Sequence, residues 1–225
     1  MLDICHYCNK KSPATQKLCD EDLRKLGDSC CQITFQKGER IMFQDAVSYY
    51  IVFIIDGLVK VHAAGPEKEQ ILKIVKGPSY IGIPAKFGAR INQYSATCIT
   101  KINACLIGFE VFKDFITGNG EFAYEIILEL CRNELYYYKK YINQLQKQGP
   151  GKIAEALLYF SDTIFNATTF ELPLSRDELG NFTCTSRETV SRIFSDFSKN
   201  KIIEINKKDI SILDKRKLEL ISEKG

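Results

Sequence analysis

Tyr124, Leu128, Cys131, Leu135, Tyr138, Ile142 and Leu145 follow one another at spacings of 4, 3, 4, 3, 4 and 3 residues. That is an apolar a/d seam held for three heptads, and a lone helix cannot leave such a stripe in water. Two partners can cover it: the body of its own chain, or the same face of a second copy in a parallel two-helix pairing. Gln148-Gly149-Pro150-Gly151 then breaks the helix and supplies a hinge. The seam therefore divides the chain into residues 1–120, a helix over 121–148, and residues 149–225.

Ahead of the helix, from Ile33 to about Phe109, short stretches rich in β-branched and aromatic residues recur between turn signals such as Asp56-Gly57, Lys76-Gly77-Pro78-Ser79 and Phe87-Gly88. Repeated short strands with glycine punctuation predict an antiparallel β-roll or jelly roll. The 225 residues, 45% hydrophobic and 26% charged, have the balance of an ordinary soluble protein with a sizeable core. The longest apolar run, Tyr49 to Ile55, has seven residues, against the ~20 a membrane-spanning helix needs. No basic-then-apolar signal segment opens the chain, so a cytoplasmic protein with no membrane partner is expected.

Behind the hinge the pattern is helical. Ile153, Ala156, Leu157 and Phe160 predict one amphipathic helix. Ser175-Arg176-Asp177-Glu178 has the form of a capping box, with the serine accepting an orphan backbone N–H and the glutamate reaching back to the cap. A short helix to about Phe182 follows, then a second one capped by Thr185 or Ser186. In that second helix Val190, Ile193, Phe194 and Phe197 form a buried stripe, and Arg187, Glu188, Ser191, Arg192 and Ser195 face away from it. Two short helices joined by about three residues make a helix-turn-helix. Ile202–Ile205 and Ile210–Leu213 flank Asn206-Lys207-Lys208-Asp209, a β-hairpin with a basic tip that reads as the wing of a winged helix. The fold class is thus α+β: an N-terminal antiparallel β-roll, a long dimerisation helix and a C-terminal winged helix-turn-helix.

The polar face of the second helix carries chemistry suited to base edges. A guanidinium can bond O6 and N7 of one guanine, and a carboxylate can accept from a cytosine amino group. Arg187, Glu188 and Arg192 supply both kinds and Ser191 adds an adaptable hydroxyl; Thr185, Ser186, Thr189 and the wing lysines suit phosphates. Net charge is only +3, and the residues after Gly151 carry twelve basic and twelve acidic side chains. DNA contact must therefore be local rather than bulk attraction. Pairing along Leu128, Cys131, Leu135, Tyr138, Ile142 and Leu145 would set two recognition helices about one DNA turn, roughly 34 Å, apart on a palindromic operator.

At Ser175–Phe182 and Ser186–Arg192 the chain resembles the CRP/FNR family of bacterial transcription regulators, and the order of β-roll, long helix and winged helix extends the resemblance over nearly the whole chain. It implies a homodimeric, non-enzymatic regulator that works with RNA polymerase. Cys184 departs from the pattern, because that turn commonly carries glycine. The cyclic-nucleotide ligands of CRP-like members are missing: Gly82-Ile83-Pro84 and Gln93-Tyr94-Ser95-Ala96 replace the G-E-L segment and the Arg-Ser pair, and Tyr137 and Tyr138 replace the Thr-Ser pair on the dimer helix. The sequence therefore does not point to cAMP, and nothing in it places Arg90 as a substitute anion ligand.

Nine cysteines in a chain without an export signal leave metal binding, redox chemistry or plain burial as their roles. Cys5-x-x-Cys8, Cys19 and the distant Cys105 resemble the FNR ligand set, which implies an oxygen-labile [4Fe-4S] cluster and a regulator that answers to oxygen or redox state. The third spacing is wider than in FNR, and Cys30 or Cys31 is an alternative to Cys19. Zinc, to which His6 could contribute, a thiol–disulfide switch and no function are the other readings of these thiols. Cys98, Cys131 and Cys184 read as small buried apolar residues. A regulator controlled by an unknown small effector in the roll, without a cluster, is the alternative; an enzyme on a jelly roll would need more than the two distant histidines His6 and His62.

Overall fold

The computed structural model describes Cys8 and residues 10–225, so Cys5 and His6 lie outside the described residues. The chain forms two compact units, one of residues 1–67 and 72–135, the other of residues 68–71 and 136–225.

The first unit is built on two four-stranded sheets. One has the order β1 (Cys30–Phe35), β8 (Ile102–Gly108), β3 (Tyr50–Asp56), β6 (Ser79–Ile81); the other has the order β2 (Arg40–Met42), β7 (Ser95–Cys98), β4 (Leu58–Ala64), β5 (Glu69–Lys76, of which residues 72–76 belong to this unit). The pairings β1–β8, β3–β8, β3–β6, β2–β7 and β4–β7 are all antiparallel, as a jelly roll requires. The expected turn at Asp56-Gly57 is one that only glycine can make: Gly57 has φ +85° and a Cβ there would lie 2.6 Å from the Lys101 carbonyl oxygen. One face of the roll buries Val52, Ile54, Val59, Val61, Ala96 and Ile102 against each other. The other packs Ile51, Phe53, Tyr80 and Ile107 against three helices: α1 (Asp20–Ser29), α2 (Phe109–Gly118) and the first turns of α3 (Gly120–Gln146). Neither α1 nor α2 is anticipated by the strand-and-turn reading. Both are short, and the roll that buries Leu23, Leu26, Phe112 and Phe115 stabilises them more than local propensity can.

Helix α3 has two apolar faces. Phe122 and Ile126 are buried in the roll core with Leu130 packed beside them. On the seam, Tyr124, Leu135, Tyr138, Ile142 and Leu145 are 51–67% exposed. The chain's own body does not cover the stripe.

In the second unit, α4 (Gly149–Leu158) begins with Pro150 in its first turn and continues as a wider π-type turn through Tyr159–Phe165. After β9 (Thr169–Glu171) come α5 (Arg176–Thr183), α6 (Arg187–Lys199), the hairpin β10 (Ile203–Asn206) and β11 (Asp209–Ile212), and α7 (Lys215–Lys224). The sheet order is β10-β11-β9, so the expected hairpin gains a third strand. Ile153, Leu157, Phe160, Leu179, Val190, Phe194 and Leu218 form the buried centre. Helix α7 is an addition to the sequence reading. Its signal is Asp214, whose side chain accepts the Lys217 N–H at 2.9 Å.

Candidate nucleic-acid interface and cysteine cavity

The capping box forms in full: Ser175 Oγ accepts the Glu178 N–H at 3.2 Å and Glu178 Oε2 accepts the Ser175 N–H at 2.9 Å. Ser186, rather than Thr185, caps α6, its Oγ accepting the Thr189 N–H at 3.1 Å. Between the helices Cys184 takes a left-handed conformation, φ 54° and ψ 44°, so the turn keeps the geometry that glycine usually provides and bears the strain of a Cβ. Gly180 lets the turn close, since a Cβ on it would lie 3.0 Å from the Thr185 carbonyl oxygen.

On α6, Val190, Ile193, Phe194 and Phe197 are buried, which aims Arg187, Glu188, Ser191, Arg192 and Ser195 at solvent. Ser191 Oγ donates to the Arg187 carbonyl at 3.0 Å and Ser195 Oγ to that of Ser191 at 3.1 Å, leaving their lone pairs outward. Glu188 is held below the usual carboxylate range, chiefly by its own backbone N–H at the helix start and then by the Ser186 hydroxyl. Thr185 is half-buried and shares a 2.9 Å hydroxyl contact with Thr183. Lys207 and Lys208 are exposed at the wing tip. Arg176, which the sequence reading did not single out, stacks its guanidinium 3.7 Å from the centre of the Phe194 ring and so braces α5 against α6.

The face of the sheet formed by β1, β8 and β3 brings cysteines together. Register sets Cys30 opposite Ile107, Gln32 opposite Cys105 and Phe53 opposite Cys105. A cavity of about 30 Å³ opens there, bordered by Cys8, Cys30, Cys105, Thr15, Tyr80 and other residues. Tyr80 is buried, and that burial pushes its hydroxyl up to about 12. Its Oη lies 2.8 Å from Ser12 Oγ and 2.9 Å from Thr15 Oγ1. Its ring is 4.8 Å from that of Phe53 and 5.6 Å, edge-on, from that of Phe112. The carboxylate of Glu129, on α3, accepts the Tyr80 N–H and the Ser79 hydroxyl, each at 3.1 Å.

Of the thiols singled out for a cluster, Cys8 and Cys105 border this cavity and Cys19 does not: it is the exposed N-cap of α1. Among the described residues no three Cys, His, Asp or Glu side chains form a group able to hold a metal ion. In this conformation the described members of the expected set do not fit a four-thiolate cluster. Cys98 is buried as expected, whereas Cys131 and Cys184 are exposed, which corrects their reading as core residues. Cys131 lies on the solvent-facing seam and Cys184 at a helix end, and neither position points a side chain inward. His62 is buried, its Nε2 2.8 Å from Thr97 Oγ1.

The segment that holds a cyclic phosphate in CRP-like proteins is differently furnished here. The Gly82 N–H donates to Tyr94 Oη at 3.0 Å, so this backbone donor is already occupied by a side chain of the roll. Arg90 is exposed, with φ 61°.

A jelly roll that carries a long helix, followed by a winged helix-turn-helix with a doubly capped, polar-faced second helix, defines a DNA-binding regulator. Residues 151–221 match the Crp-like helix-turn-helix domain and residues 32–119 the cyclic nucleotide-binding domain. The chain belongs to the CRP/FNR family of transcription regulators, and it is not an enzyme. It is 24% identical to the CRP-like cAMP-activated global transcriptional regulator of Mycobacterium tuberculosis, over 83% of this chain and 85% of the relative. It is 25% identical to the fumarate and nitrate reduction regulatory protein of Vibrio cholerae, over 81% and 75% of the two chains. The fold is similar to that of FixK2 from Bradyrhizobium japonicum, with a TM-score of 0.78 at 17% identity, covering 85% of this chain and 96% of that one.

Proposed function

We propose that the protein is a homodimeric regulator that reads a palindromic operator and answers to oxygen or redox state through its cysteine-bearing N-terminal region. The observation that carries the DNA-reading part is α6, capped at Ser186 and tethered by Phe194, with Arg187, Glu188, Ser191 and Arg192 on its open face. In this reading Arg187 and Arg192 make bidentate guanine contacts, Glu188 accepts from cytosine and Ser191 adapts to either. Ser186, Thr189 and the wing lysines hold phosphates, and Thr185 assists from its half-buried place. RNA polymerase is the expected further partner.

The redox part is supported by the meeting of Cys8 and Cys105 at one cavity and by a relative named for fumarate and nitrate reduction. A [4Fe-4S] cluster on Cys5, Cys8, Cys19 and Cys105 would require Cys8, Cys19 and Cys105 to come closer together than they stand here. The sensing role is therefore assigned to the thiols themselves, with iron as an occupant to be tested.

The experiment is operator selection from random DNA followed by titration of Arg187→Ala and Arg192→Ala. Selection should return an inverted repeat, and each substitution should cost about 1–3 kcal/mol and relax the base preference at one symmetric pair of positions. Full sequence-specific affinity in the double variant would refute the recognition-helix assignment.

A further inference from the structure

Tyr80 touches both the thiol cavity and the long helix. On one side it borders the space lined by Cys8, Cys30 and Cys105, and its hydroxyl holds Ser12 and Thr15 of the segment that leads from Cys8. On the other side its backbone N–H is bonded to Glu129. Glu129 follows the seam residue Leu128 directly on α3. One turn further on, Asn133 accepts a hydrogen bond from Lys73, whose ammonium also faces Glu129. The Tyr80 ring meets Phe112, and Phe112 meets Phe122 at the start of α3 with centroids 5.3 Å apart. Backbone and ring of one residue thus bear on the helix while its hydroxyl bears on the N-terminal segment.

We propose that Cys8, Cys30 and Cys105 are the sensing thiols, with Cys30 in the place expected of Cys19, and that Tyr80 is the positioning residue that transmits their state to α3. This rests on the redox reading above. At about 30 Å³ the cavity holds little more than a water molecule. Cys8, Cys30 and Cys105 are half-buried, and a group bonded to one of these sulfurs and turned into the cavity presses on its wall. Phe53 and Ile107 belong to the central strands β3 and β8, whereas Tyr80 belongs to the three-residue edge strand β6 and is the wall residue that is also hydrogen-bonded to α3, so a push on it reaches the helix. Displacement of Tyr80 weakens the Glu129 clasp, and with it the orientation of the seam around Leu128.

The probe is N-ethylmaleimide, which adds a thiolate across its C=C bond, forming C–S and placing a proton on the adjacent ring carbon. Alkylation is read cysteine by cysteine by peptide mass spectrometry, and dimer dissociation by sedimentation. In a Cys131→Ser background, which removes the exposed thiol of the seam itself and is the reference for every variant below, modification at Cys8, Cys30 or Cys105 should weaken the dimer about tenfold, within the usual range of coupling between two sites. Tyr80→Phe, which keeps the ring and loses the hydroxyl bonds, should speed alkylation of Cys8 several-fold and reduce its effect on dimerisation. Glu129→Ala should leave the alkylation rates unchanged and abolish the effect. Cys19→Ser should preserve the coupling and Cys30→Ser diminish it; the reverse pair of results overturns the thiol assignment. Coupling that persists at full strength in both Tyr80→Phe and Glu129→Ala overturns the relay and leaves the redox reading standing. A Cys131→Ser dimer indifferent to alkylation of all three thiols overturns both.

Discussion

Lys140 shows how one residue's surroundings set a measurable property of the second unit. Its ammonium lies 3.7 Å from the centre of the Phe182 ring, and burial lowers its pKa from the usual 10.5 to about 7. The unfolded chain therefore holds this proton more tightly than the folded one, so the group's contribution to stability rises with pH from about 7 to 10.5 and its penalty is complete below 7. Lys140→Met keeps the stem and removes the charge. It should raise the urea midpoint of the second unit at pH 6, with the gain shrinking as pH is raised towards 10, as measured by circular dichroism at a series of pH values. A gain that grows with pH would show that the ammonium is not disfavoured by folding. Cys184 belongs to the same scale: its side chain sits in left-handed backbone at the turn, and Gly180 leaves room for the Thr185 carbonyl that follows.

Among the elements, α3 carries the largest exposed apolar investment. Leu135, Ile142 and Leu145 stand 66%, 51% and 67% exposed beside Tyr124 and Tyr138. Burying each such aliphatic side chain is worth roughly 1.5–3 kcal/mol, enough for a few of them to drive association. Leu135→Glu with Ile142→Glu should convert a dimer to a monomer in sedimentation velocity and abolish binding to a full inverted repeat, while the far-ultraviolet spectrum stays helical. A variant that remains dimeric would exclude this face as the interface. The heptad spacing was legible because a seam is a local, periodic signal. The same was true of α5 and α6, whose caps lie within four residues of the groups they satisfy. Helices α1 and α2 were not legible, since their stability comes from Leu26 and Phe112 packing on the roll rather than from cap or period.

At the scale of the whole molecule the prediction concerns the cysteines. Protein purified without oxygen, examined by absorption together with iron and sulfide analysis, should carry no stoichiometric cluster, and operator affinity should change when the thiols of Cys8 and Cys105 are oxidised or blocked. A brown protein with about four irons per chain, the composition of a cubane cluster, would restore the Cys5, Cys8, Cys19 and Cys105 set and require its described members to draw together. The +3 net charge fits DNA recognition by one capped helix and a two-lysine wing tip rather than by a broad basic surface. By itself the sequence determined the winged helix-turn-helix, the seam and the β-roll, because caps, heptads and glycine turns act over a few residues and need no distant partner. Only the tertiary structure decided which thiols are neighbours. Cys30 and Cys105 meet through the register of β1 on β8, and Tyr80 meets Glu129 through the packing of a strand on a helix. Contacts of that kind depend on how strands pair across the whole roll, and no local pattern in the chain encodes them.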